Sequence, residues 1–268
     1  AMSSLFERLA AINRFGRRPP EFLLTHPVTE SRISDARGRA YRYPSQDYGQ
    51  NLEYQIMRAR VVAHYAENKR ALVEERRLAL ESSSSEFTQD VNRYALVVAY
   101  YENQQFNLAT QTLAPLLEKD PNRISYAVTQ AEILTDQNEP LQALDFLQRH
   151  LEINPDNHPL TMAAVNALME ARAYSEASEL MERHLTHRPN DDQLWFRLAE
   201  TQGQAGNIAE VHKARAEYFR LLGDYINSRQ QLQFALRVET EKGAAPAEAA
   251  RLRQRIREVE ELAREARG

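Results

Sequence analysis

Apolar and polar residues recur with a fixed period along the middle of this chain. Pro121, Pro155 and Pro189 lie 34 residues apart, and Ala109, Ala143 and Ala177 keep the same interval. So do Leu113, Leu147 and Met181, and so do Tyr100, Leu134 and Leu168. Several columns repeating in one register point to a two-helix unit stacked on copies of itself. In the first full unit Leu96, Val97 and Tyr100 fall on one face of the leading helix, at helical spacing. The alanine column supplies the small residue needed where the second helix crosses the first. The proline lacks an N–H, so it closes the second helix and turns the chain into the next unit. Asp120-Pro121-Asn122, Asn154-Pro155-Asp156 and Arg188-Pro189-Asn190 are turn chemistry in that position.

The pattern extends both ways. A fourth unit begins near Asp192 with Trp195, Leu198 and Ala199 in register, although Val211 stands in the small-residue column. A further hairpin carries Ala216, Phe219, Gly223, Ser228, Leu232 and Ala235. Upstream, Tyr54, Met57, Val61 and Tyr65 make an apolar helical face, expected in a degenerate first unit whose second helix holds Leu72, Val73 and Leu80. Ser82 to Ser85 is a polar break, and Ser83 followed by Glu86 has capping-box spacing. From Pro246 the residues Leu252, Ile256, Val259, Ala263 and Ala266 are spaced by fours and threes. They read as a last helix closing a row that would otherwise expose its core.

This arrangement resembles the tetratricopeptide repeat (TPR). It implies an all-α fold, a right-handed solenoid of helix–turn–helix repeats with a concave face lined by the leading helices. In the 34-residue register, the outward positions of those helices are Tyr94, Val98, Tyr101, Val128, Met162, Asn166, Met169, Phe196 and Glu200. They are apolar for an exposed surface, which suits either a peptide or protein partner or packing against another part of the protein. Methionines there adapt to varied partners. One column reads Tyr94, Val128, Met162, Phe196 and offers no donor but the tyrosine, so it does not suit a clamp for a C-terminal carboxylate.

Composition narrows the chemistry. Of 268 residues, 43% are hydrophobic and 27% charged, with only 8 Gly and 11 Pro. That excludes collagen-like and Pro/Gly-rich disordered classes. The net charge of −4 lacks the basic excess of a general nucleic-acid binder, and Cys is absent. No apolar run is long enough to span a membrane. The histidines are His26, His64, His150, His158, His184, His187 and His212, and none opens an H-E-x-x-H motif. His184 and His187 stand about one helical turn apart, where a shared metal lacks a third ligand and a helix C-terminus favours the imidazoles anyway. No G-x-S-x-G, P-loop or G-x-G-x-x-G is present. The chain on its own carries no candidate catalytic residues. No secretory signal is visible, and Ala1-Met2 reads as a cloning scar ahead of a body taken from a longer protein.

Residues 18–37 differ in character. The stretch Pro20-Glu21-Phe22-Leu23-Leu24-Thr25-His26-Pro27-Val28-Thr29-Glu30-Ser31-Arg32-Ile33 is an extended segment leading to a helix, with Pro27 suited to a first turn. Its Thr-His-Pro element, followed by the repeats, resembles the end of the catalytic domain and the C-terminal TPRs of the β-barrel assembly-enhancing protease (BepA-like) family. The resemblance divides the chain into a catalytic-domain tail and linker over 1–47, a degenerate hairpin over 48–85, repeats over 86–240 and a capping helix over 241–268. It implies a periplasmic zinc metallopeptidase with chaperone character as the parent protein. There the zinc is held by the two His of HExxH and a downstream Glu, none of which has a counterpart here. The same resemblance implies outer-membrane protein substrates and the β-barrel assembly machinery as partners of the TPR part, together with the missing N-terminal catalytic domain. His26 matches the family's Thr-His-Pro histidine. It is expected either to approach the zinc of the intact protein and help gate it, or to cap the helix at Pro27. The alternative to the whole reading is a free-standing TPR adaptor that binds peptides with no enzyme attached.

Overall fold

The computed structural model describes residues 30–41, 50–243 and 245–266. His26 lies outside them. The described residues form thirteen helices and no strand. Contacts divide the chain at residues 51 and 52. In the first unit the described structure is α1 (Glu30–Ala40), with an Asp35–Arg39 ion pair one turn apart.

The second unit is the repeat array. Its leading helices are α2 (Leu52–His64), α4 (Glu86–Glu102), α6 (Ile124–Asp136), α8 (His158–Glu170) and α10 (Asp192–Gln204). Alternating with them are α3 (Lys69–Glu81), α5 (Phe106–Lys119), α7 (Pro140–Ile153), α9 (Tyr174–Leu185) and α11 (Ile208–Leu221). Then α12 (Tyr225–Glu241) packs on α13 (Pro246–Glu265) and on α11. The architecture is the all-α TPR solenoid expected from the period.

The periodic residues occupy the core. Ala109, Ala143 and Ala177 are each fully buried, as are Leu113, Leu147 and Met181 on the next turn of the same helices. Each such large side chain contributes about 1.5–3 kcal/mol by leaving water. In the fourth unit Val211 is also buried, and its Cγ2 stands 3.8 Å from where a Cβ on Gly203 would lie. The leading helix thus has no side chain at that crossing, which makes room for a larger residue on its partner. Trp195 Nε1 donates to the Pro189 carbonyl at 3.0 Å and ties the proline turn to the helix that follows.

The turns inside the units obey a rule that the residue types conceal. Gln104, Asn138, Arg172 and Gly206 all have positive φ. The amide after each donates back across the turn: Gln105 to Tyr100, Glu139 to Leu134, Ala173 to Leu168 and Asn207 to Gln202, all at 2.9 Å. This is the Schellman end of a helix, whose left-handed residue favours glycine. The row places glycine there only once in the four units.

Two local expectations are corrected. The cap of α4 is Ser85, whose hydroxyl accepts from the Thr88 amide while Thr88 Oγ1 accepts from the Ser85 amide. Ser83 instead donates to Ala79 O at the end of α3. On α2 the packed side is Ile56 and Ala63, with Leu52, Ala59 and Val62 partly buried beside them. Tyr54, Met57, Val61 and Tyr65 are exposed, from 47% to 78%. The small residues Ala59 and Ala63 allow α2 to approach α4 closely, which the bulkier, more hydrophobic Tyr54, Met57, Val61 and Tyr65 stripe does not.

Candidate peptide-binding groove

At 34-residue spacing along the leading helices stand Arg60, Tyr94, Val128, Met162 and Phe196, a column that begins one unit before Tyr94. Arg60 decides what happens at the N-terminal end. Its Nη2 donates to both carboxylate oxygens of Glu132, at 2.7 and 2.8 Å, and its Nη1 donates to Thr129 Oγ1 at 3.0 Å. The Tyr94 hydroxyl lies 2.8 Å from Thr129 Oγ1 and 3.4 Å from Arg60 Nη1. Burial by itself disfavours the Arg60 charge, but Tyr94 and Glu132 hold its proton above the ordinary guanidinium value. Burial likewise pushes the Tyr94 hydroxyl up.

Tyr94 and Val98 therefore do not line an open groove. Tyr94 is fully buried and Val98 is buried at 3%. The physical reason is the additional leading helix: α2 covers α4, and Arg60 fills the space over Tyr94. Val98 and Tyr101 border a small cavity of about 330 Å³ shared with Arg60, Val61, His64, Tyr65 and Glu102. Tyr101 donates to Asp136 Oδ2 at 2.5 Å, and burial first, then this contact, raises its hydroxyl above the ordinary phenol range. Val128 and Met162 are half-buried against the neighbouring cores.

The C-terminal end is open. Asn166, Met169, Phe196 and Glu200 line a cavity of about 900 Å³, together with Asp136, Glu170, Tyr174 and Arg197. Phe196 is 42% exposed, with one side against the Tyr218 ring at 5.3 Å between centroids. Thr201 Oγ1 donates to Met169 Sδ at 3.4 Å, and Arg197 donates to Asn166 Oδ1. Burial lowers the Arg197 guanidinium from its ordinary value despite nearby Glu200. Four of the side chains proposed from the register thus share one cavity. Arg60, Glu132, Asp136, Glu170, Tyr174 and Arg197 were missed. Extending the 34-residue column upstream of Tyr94 would have found Arg60.

The histidines lie elsewhere. His184 is buried and faces His158 rather than His187: His158 Nδ1 stands 3.0 Å from His184 Nε2, with the rings stacked. His187 contacts Asp156 at 3.3 Å. Burial lowers both His158 and His184, and Arg188 beside them adds to this. Among the described residues no group of three or more His, Asp and Glu side chains is placed to hold a metal ion. No described helix is long and apolar enough to cross a membrane.

The comparisons agree with this architecture. A tetratricopeptide repeat family model matches residues 134–199. A β-barrel assembly-enhancing protease of Yersinia pestis is 30% identical over 223 residues, covering 83% of this chain and 46% of that protein. The protein of the same name from Escherichia coli (strain K12) is 29% identical over 226 residues, covering 83% and 45%. A solved structure of MamA (MSR-1 C2) is 20% identical with a TM-score of 0.45, covering 63% of this chain and 95% of that one. The chain spans about half the length of the curated relatives it matches, and the match lies in their C-terminal half. The chain thus folds as a tetratricopeptide repeat array and is similar in sequence to the C-terminal half of β-barrel assembly-enhancing proteases.

Proposed function

We propose that this chain is the polypeptide-binding part of a longer periplasmic protein, a zinc metallopeptidase with chaperone character acting in outer-membrane β-barrel assembly and quality control. The supporting observation is the open C-terminal end of the groove, a 900 Å³ cavity carrying Met169 and Phe196 on a chain homologous to barrel-assembly-enhancing proteases. Its partners are unfolded outer-membrane proteins and components of the barrel-assembly machinery. Zinc and catalysis belong to the upstream half of the parent. The described residues do not fit a zinc site, so no step of the chemistry is assigned to them.

An immobilised chain tests the binding role. The wild type is expected to retain a urea-unfolded outer-membrane β-barrel protein, and Met169→Ala with Phe196→Ala to retain markedly less while keeping its helicity. Equal retention by both proteins would overturn the groove assignment. For His26 the resemblance at Thr25-His26-Pro27 supports a place near the parent's zinc. His26→Ala in the full-length protein is then expected to alter zinc affinity and proteolysis, and unchanged values would remove that role.

A further inference from the structure

The open end of the groove has a chemical bias. Asp136, Glu170 and Glu200 stand around the apolar surface of Met169, Tyr174 and Phe196, against a single guanidinium, Arg197. That guanidinium is already engaged with Asn166. Asp136 accepts from Tyr101 and lines the cavity. Glu170 and Glu200 are exposed, and neither is fixed by a hydrogen bond or an ion pair within the described residues. Three partly buried carboxylates elsewhere in the array have cationic partners: Glu132 with Arg60, Glu102 with Lys69, and Glu217 with Arg220 and Arg255. The excess of negative charge thus surrounds a wide, mostly polar cavity that also exposes Met169, Tyr174 and Phe196. In a concave surface with low-dielectric walls such a surplus raises the local concentration of cations and steers their approach.

We infer that the open end of the groove selects polypeptide segments in which an aromatic or aliphatic side chain is flanked by Lys or Arg. The apolar side chain lies against Phe196 and Met169, and the flanking cations lie near Glu170, Glu200 and Asp136. This rests on the polypeptide-binding reading above and adds to it the class of segment preferred.

Three fluorescein-labelled peptides of equal length separate the two claims. All carry one Phe and one Met at the centre, and their flanks are Lys, Ser or Glu. Fluorescence anisotropy with the whole chain at low salt is expected to rank them Lys, Ser, Glu, with about a tenfold span in affinity that narrows as salt is raised. Glu170→Gln with Glu200→Gln, both at exposed positions, is expected to compress the span to about twofold, chiefly by weakening the Lys-flanked peptide. Phe196→Ala is expected to weaken all three peptides together. Equal binding of the Lys- and Glu-flanked peptides, or a preference for Glu through Arg197, overturns the charge selection and leaves the groove standing. Failure of every peptide to bind overturns both.

Discussion

The two ends of the groove are built from the same repeat and have opposite fates. At the N-terminal end Arg60 crosses from α2 to α6, and its contacts with Tyr94, Thr129 and Glu132 close the surface over a buried tyrosine. At the C-terminal end the corresponding column position is Phe196, which points into open space beside Met169. An arginine at the column position finds a carboxylate two units away and covers the tyrosine beneath it, leaving the small cavity beside Val98 and Tyr101. The aromatic there rests on Tyr218 and leaves the rest of its ring exposed. Equivalent positions in a solenoid thus share a backbone location without sharing a role.

The largest effect should come from breaking the closed end. Arg60→Ala leaves Glu132 without its bidentate partner, while Tyr94 and Thr129 lose the guanidinium and keep each other. It is expected to cost about 2 kcal/mol in urea unfolding. A double-mutant cycle with Glu132→Gln should show strong coupling between the two, and additivity would mean the closure is incidental. The open end should respond differently. Phe196→Ala is expected to lower stability by about 1 kcal/mol or less, because the ring is partly exposed, while polypeptide binding falls. A stability loss as large as that of Arg60→Ala would erase the contrast.

The histidine pair gives a pH test between the two extremes. Both imidazoles have depressed native values, chiefly through burial, so the unfolded chain takes up protons first as pH falls below the ordinary value of 6.5. Stability is full above that value and is lost downward through it. Arg188, Asp156, Asp191 and His187 face the pair, and only the two aspartates oppose the loss. The melting midpoint is expected to drop by a few degrees between about pH 7 and pH 5, and His158→Asn should reduce the drop. A flat profile would show that the pair is not buried in solution. The smallest change expected is a gain. Arg172 holds a left-handed conformation at φ 58°, so Arg172→Gly should raise stability by about 0.5–1 kcal/mol, with no effect on binding.

Much of the fold was legible because its signals are local and repeated. The alanine and leucine columns report helix crossings that recur, and the prolines mark where each unit ends. The groove was less legible, since exposure depends on what the neighbouring helix carries. Tyr94 has the same register position as Phe196, and only the presence of Arg60 distinguishes them. The α2 face was misread for a related reason. Ile56 and Ala63 are a weaker apolar signal than Tyr54, Met57, Val61 and Tyr65, yet small side chains decide which side can approach. The turns escaped notice because Gln104, Asn138 and Arg172 are not residue types that announce a positive φ. His158 and His184 meet across the two helices of one unit, a pairing that spacing along either helix does not show.

The reach of Arg60 also changes how such a row comes apart. A solenoid whose units touch only their neighbours frays one unit at a time from either tip. Here the guanidinium binds the first leading helix to the third and touches the second on the way. The N-terminal three units are therefore tied into a single cooperative block. Toward the C-terminus the ties run between nearby helices, as from Lys213 on α11 to Glu248 on α13 and from Arg255 on α13 to Glu217 on α11, so amide exchange should be slow and uniform at one extremity and graded at the other.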